Sequence, residues 1–249
     1  MPAARKNPGL CLWDRDGVRF LDAEGETYRQ VGRFSLANPC SAIAIGERSV
    51  AALAGEKADA RRALLFDFSP DGPPTGHVFA MDSFVECAPL TRWALAGARA
   101  DGEVGVWARG ETGDETRKTA LGNVPSPTCI AAHRPENGRD NASERFQVAC
   151  GNRDGVVAAW RFTLDESGIP RDVEEIFREE IHEGAARALC FMDGEHLLTG
   201  GADGRIHRLG LPHGWDAHPP FELRLRCRGT RIEGLEGGKE RGILRAARE

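Results

Sequence analysis

Several things are scarce in this sequence. It has one tyrosine, three methionines and lysine only at Lys6, Lys57, Lys118 and Lys239, so its cations are nearly all arginine. With its many alanines and glycines, that usage fits a GC-rich bacterial genome. The seven cysteines, Cys11, Cys40, Cys87, Cys129, Cys150, Cys190 and Cys227, include no C-x-x-C pair and are odd in number. A disulfide framework or a thiolate metal site is not expected from them, and a reducing compartment is. No apolar run nears the ~18 residues of a membrane span. The start, Met1 to Pro8, is polar and lacks an apolar leader core. Both point to a cytoplasmic protein with no membrane partner. The formal net charge of -5 and pI of about 5.9 argue against bulk nucleic-acid binding.

Catalytic signatures are absent too. There is no phosphate loop, no H-E-x-x-H helix and no G-x-S-x-G elbow. No enzyme, cofactor or small-molecule substrate is expected. Of the seven histidines, only His213 and His218 stand at a suggestive spacing, around Trp215 and Asp216 in a proline-bounded loop. They read as solvated, so no metal is expected. Asp14-Arg15-Asp16-Gly17 lacks the further oxygen ligands of a calcium loop and reads as a turn.

What is present is a repeat. A short apolar stretch leads to small residues, then Asp-Gly or its equivalent, then an alternating apolar stretch. The copies run Leu10 to Asp22, Val50 to Asp67, Leu95 to Trp107, Val148 to Trp160 and Leu197 to Leu209. Alternation puts one face of a strand on a core. The intervening Asp-Gly makes a hairpin turn, because glycine supplies φ > 0 and aspartate bonds nearby backbone. The turn aspartates Asp16, Asp59, Asp101, Asp154 and Asp203 are spaced by 43, 42, 53 and 49 residues. A period of ~40–45 residues with added loops is that of four-stranded propeller blades. The polar insertion Pro135 to Glu144 accounts for the longest interval.

The segment His182 to Leu209 resembles a WD40 repeat throughout: His182 at its start, Leu189-Cys190-Phe191 as first strand, His196 to Gly201 as second, and the Asp203-Gly204 turn. The resemblance implies a hydrogen-bonded set within each blade, made by a His, a Ser or Thr, an Asp and a Trp. His182, Thr199 and Asp203 match it, with Leu209 in the Trp position. Further up the chain, Gly76-His77, Asp101 and Trp107 match, with Gly97 replacing the hydroxyl. Asp154 and Trp160 match with Cys150 replacing it. The chain thus resembles a divergent, bacterial WD40-repeat β-propeller, about four-fifths of it covered. The expected fold is all-β, with about five recognisable four-stranded blades, incomplete or closed by the C-terminal strands. The first hairpin lacks a preceding inner strand, and Phe221 to Ile232 is a candidate source of missing strands. Expected domains are a propeller over 1–226 and a strand or helix tail over 227–249.

Arg15, Lys57, Arg99 and Arg153 each stand one or two positions before a turn residue. Equivalent turns gather on one face of a propeller, so these four would form a cationic ring on an acidic protein. The expected function is a non-catalytic scaffold or sensor subunit in a multi-protein signalling or defence complex, which binds an acidic partner or peptide there. Two alternatives stay open. One is a propeller hydrolase with its site at the channel mouth. The other is half of a split propeller, obligately paired with another chain. The acidic run Asp172 to Glu180 reads as an exposed strand and loop.

Overall fold

A computed structural model describes residues 10–14, 17–24, 27–35, 40–45, 49–54, 62–67, 75–79, 84–91, 93–109, 116–134, 145–192, 194–211 and 221–223. Before residue 84 its account of side chains is confined to 51–53 and 62–65, and 221–223 is described by backbone alone. Every regular element in these residues is a strand.

The strands form five antiparallel sheets in chain order. The first contains β1 (Leu10–Asp14), β2 (Gly17–Glu24) and β3 (Thr27–Ser35). The second contains β4 (Cys40–Ile45), β5 (Ser49–Ala54), β6 (Arg62–Asp67) and β7 (Thr75–Phe79). The third contains β8 (Phe84–Pro89), β9 (Ala94–Arg99), β10 (Glu103–Arg109) and β11 (Thr116–Asn123). The fourth contains β12 (Pro127–His133), β13 (Arg145–Asn152), β14 (Val156–Leu164) and β15 (Pro170–Glu180). The fifth contains β16 (Ala186–Phe191), β17 (His196–Gly201), β18 (Ile206–Gly210) and β19 (Phe221–Leu223).

Each sheet is a meander of neighbouring strands. The first has three strands, in line with a hairpin that lacks its inner strand. Phe221–Leu223 supplies the outer strand of the fifth sheet, a limited form of the C-terminal contribution expected from the sequence. The proposed domain boundary at 226/227 and the tail after it lie outside the described residues, as does the insertion at 135–144.

The first strands of successive sheets pack on one another, β4 on β8, β8 on β12 and β12 on β16. Among the described residues, the fifth sheet has no comparably extensive packing on the first.

The core lies between sheets, because both faces of the middle strands are apolar. Ala51, Leu53, Ala63 and Leu65 meet Phe84, Leu95 and Trp107 between the second and third sheets. Val104, Val106, Ala108 and Leu121 meet Val148, Ala158 and Trp160 between the third and fourth. Ala149, Val157 and Ala159 meet Ala186, Leu197 and Leu209 between the fourth and fifth. The sixth residue after the turn aspartate, Trp107, Trp160 or Leu209, therefore fills the gap to the preceding sheet.

Candidate functional site

The turns between the second and third strands of each sheet carry most of the residues singled out by the sequence. In the third sheet Gly102 N–H donates to Arg99 O at 2.9 Å, and in the fifth Gly204 N–H donates to Gly201 O at 3.1 Å. Gly102 and Gly204 have φ of 92° and 74°, the left-handed region that glycine enters without a Cβ penalty. Asp101 Oδ1 accepts from Glu103 N–H at 3.1 Å and Asp203 Oδ1 from Arg205 N–H at 3.0 Å. These are the local backbone bonds expected of turn aspartates.

The fourth sheet differs. Asn152 Oδ1 accepts from Asp154 N–H at 3.0 Å and Val156 N–H at 2.8 Å. Asn152 therefore caps this turn, and Asp154 is exposed at its tip rather than joined to a blade network. An Asx residue at either end of a turn can bond the backbone, so the Asp-Gly pattern alone pointed to the wrong one.

In the fifth sheet His182 ties three elements together. Its Nδ1 lies 3.1 and 3.2 Å from Asp203 Oδ1 and Oδ2, and its Nε2 lies 2.8 Å from Thr199 Oγ1. The carboxylate accepts only, so Nδ1–H donates to Asp203 and Nε2 accepts from the Thr199 hydroxyl. Glu183 N–H also donates to Asp203 Oδ2 at 3.2 Å. The imidazole is fully buried, and burial holds its pKa below the usual histidine value against the opposing pull of Asp203. Burial would raise the Asp203 pKa, but the Arg205 N–H, the imidazole and the Glu183 N–H together hold it below the usual carboxylate value. Gly201 makes room for the ring, because a Cβ there would stand 2.2 Å from His182 Nδ1.

Among the described residues no such set is assembled in the third or fourth sheet. Trp107 is fully buried, yet its Nε1 has no hydrogen-bond partner among the described residues. Gly97 stands where the fifth sheet has Thr199, and the Phe84 ring takes the space of the missing side chain. A Cβ on Gly97 would fall 2.3 Å from Phe84 Cε1 and 2.9 Å from Trp107 Cζ3. Phe84 and Trp107 pack edge to face with centroids 4.7 Å apart. In the fourth sheet the Trp160 indole hydrogen-bonds Glu175 of β15 instead, and Cys150 is a buried free thiol whose pKa is raised by burial. His77, expected in the third-sheet set, lies within β7 opposite Leu65, and its side chain is outside the described residues.

Of the cationic turn residues, Arg15 and Lys57 lie outside the described residues. Arg99 is engaged locally, 3.3 Å from Asp101 Oδ2 and 3.4 Å from Glu103 Oε2. Arg153 is exposed at the tip of the fourth-sheet turn, its backbone N–H held by Ser126 O at 3.1 Å. The acidic run forms β15, a long outer strand exposed along most of its length. Arg178 makes a two-pronged bond to Glu175 at 2.8 and 2.7 Å there, and Arg171 bonds Asp165 at 2.9 Å. His213 and His218 are outside the described residues.

Sequence reasoning missed four residues that organise this region: Phe84, Asn152, Thr128 and His207. Thr128 sits at the entry to β12, and its one hydroxyl proton has two acceptors within reach, Ala186 O in the fifth sheet and Gly151 O at 3.2 Å. His207 stands opposite Thr199 in register, edge-on to His182 with ring centroids 5.0 Å apart. Only the strand register brings it there. The signal in the sequence was its position, four residues after the turn aspartate, where the second, third and fourth sheets have Ala63, Gly105 and Ala158.

No family model matches the chain, and no curated protein matches it in sequence. Among solved structures it is similar to the Cps50 (Swd1) beta-propeller domain of Myceliophteria thermophila. The TM-score is 0.65 at 12% identity, over 96% of this chain and 75% of that one. At that identity the likeness speaks for fold alone. With five antiparallel sheets in chain order, the second to the fifth packed through their first strands, the chain has a β-propeller fold of mainly four-stranded blades.

Proposed function

We propose that this chain is a non-catalytic protein-interaction scaffold, a subunit of a larger cytoplasmic complex, which receives an acidic partner on the face bearing its second-to-third-strand turns. A propeller supplies a rigid frame with many displayed turns, and function then resides in those turns. The observation that carries the proposal is the fourth-sheet turn. Its backbone is fixed by Asn152 and Ser126, while the guanidinium of Arg153 is left at the exposed tip. Such a group can take a carboxylate or phosphate through two parallel bonds. Arg99 contributes less directly, since a ligand must first compete with Asp101 and Glu103.

The test is affinity purification from the native host with wild type and the triple variant Arg15→Glu, Arg99→Glu, Arg153→Glu, read by mass spectrometry. Wild type should enrich a defined set of proteins that the variant loses while its melting temperature holds. Unchanged capture by the variant sinks the idea.

A second function has a specific observation in its favour. Among the described residues the fifth sheet lacks extensive packing on the first, and a quarter of the similar propeller domain lies outside the region matched. Another polypeptide would then complete the ring and cover the strand edges left open. Light scattering on the purified chain decides it: a stable monomer with one cooperative melt argues against obligate pairing.

A further inference from the structure

We propose that His182, Asp203 and His207 form a binding site for a divalent transition-metal ion of the zinc class, at the turn end of the fifth sheet. Their donor atoms all lie within 4.8 Å of one another. Two imidazoles and one carboxylate are a ligand set that suits zinc and leaves an open position for water.

The placement of His207 carries the proposal. In register it faces Thr199, while Gly105 faces Gly97 and Ala158 faces Cys150 in the third and fourth sheets. In the third sheet a Cβ on Gly105 would stand 2.8 Å from Thr119 O of the neighbouring strand and 3.4 Å from the Trp107 ring, so no larger side chain fits there. The fifth sheet has Leu209 in the tryptophan position and an imidazole at the facing one. That imidazole packs edge-on to His182, but its Nε2 is buried with no hydrogen-bond partner among the described residues. An unpaired buried nitrogen of this kind costs free energy unless something binds it.

The rest of the cluster is prepared for an ion. His182 Nδ1 and Asp203 Oδ1 are 3.1 Å apart. With metal–ligand bonds of about 2.0–2.1 Å, a tetrahedral site has edges of roughly 3.3 Å. That pair is therefore near coordination spacing, and a side-chain rotation of His207 closes the remaining distance. Binding needs a free lone pair on His182 Nδ1. The Nδ1 proton moves to Nε2, which then donates to Thr199 Oγ1, 2.8 Å away. The hydroxyl changes from donor to acceptor, and the imidazole stays neutral. Thr199 can thus partner the metal-competent tautomer from behind, as outer-shell partners of zinc-bound histidine commonly do. The carboxylate is already ionised, held so by the Arg205 and Glu183 backbone N–H groups. Arg205 faces Glu183 at 3.7 Å, which draws its charge from the cluster.

The full chain, free of tags and in a reducing buffer, is titrated with Co(II) and then Zn(II), with visible absorption and thermal melting as readouts. The expected result is one cobalt per chain with the bands of tetrahedral nitrogen and oxygen coordination, displaced by zinc, and a zinc-dependent rise in melting temperature. His207→Phe keeps a ring and removes both nitrogens, so it should fold and lose more than tenfold in affinity. His207→Ala gives the same comparison should the larger ring misfit. The double variant His213→Ala, His218→Ala should bind as wild type does. The proposal is overturned if wild type takes up no cobalt, if both His207 variants bind as well as wild type, or if the His213/His218 variant loses the ion. A sulfur-to-cobalt charge-transfer band would place the ion on cysteine and overturn it as well.

Discussion

The third and fifth sheets solve one packing problem in opposite ways. In both, a strand residue four before the turn glycine's partner aspartate faces the strand that opens the sheet, and something must fill the space there. The fifth sheet uses polar groups, with Thr199 bonded to His182 and His182 to Asp203. The third removes the side chain altogether at Gly97 and inserts Phe84 against Trp107. The polar solution fixes geometry through directional bonds, but each partner is costly to remove. The aromatic solution tolerates an unpaired Trp107 Nε1 and draws its stability from area and edge-to-face contact. The blade backbone therefore constrains volume at this position more tightly than it constrains chemistry.

The largest effect should come from forcing one solution onto the other. Gly97→Ser adds the hydroxyl residue the third sheet lacks, but its Cβ would meet Phe84 at 2.3 Å. Overpacking of this kind costs about 3 kcal/mol. Pairing it with Phe84→Ala should recover part of the loss, so the double mutant should be more stable than the two single changes add up to. Urea melts of the four proteins measure this, and strict additivity would mean that the two residues do not share one space.

A smaller loss is expected from Thr199→Val. The swap keeps the shape, removes one hydrogen bond and leaves His182 Nε2 buried without a donor, which costs about 1–2 kcal/mol. A destabilisation as large as that of Gly97→Ser would contradict the expectation that losing this one bond costs less than overpacking the third sheet.

The smallest effect is a pH dependence confined to the fifth sheet. In the presence of a chelator, His182 has a folded pKa below its ordinary value, so the unfolded chain takes up the proton more readily. Stability should fall as pH drops below about 6.5, level off under the folded pKa, and fall again as Asp203 is protonated at lower pH. His182→Gln should flatten the first step. A wild-type melting temperature unchanged between neutral and mildly acidic buffer would count against this.

Much of this frame was legible in the sequence. Alternation and Asp-Gly placed the hairpins at Leu95 to Trp107, Val148 to Trp160 and Leu197 to Leu209, because both signals are local. Trp107, Trp160 and Leu209 were placed by a fixed offset from the turn. What could not be read depends on partners far along the chain. That Phe84 fills the place left by Gly97 follows from a contact between strands. That Asn152 rather than Asp154 caps its turn depends on a choice between two residues of like chemistry. His207 stands out in the sequence only by its offset from the turn aspartate, and register is what sets it beside His182.

The contact between the fourth and fifth sheets has a consequence for how the molecule comes apart. Gly155 O accepts from both Ile181 N–H and His182 N–H, at 3.0 and 3.3 Å. A Cβ at Gly155 would meet His182 O, so no side chain fits between them. The turn of one sheet is thus the socket for the segment that leads into the next. In a molecule built of repeated units, cooperativity passes from neighbour to neighbour through such joints. Loosening this one would uncouple the last sheet from the rest, so that it frays as a separate unit ahead of global unfolding.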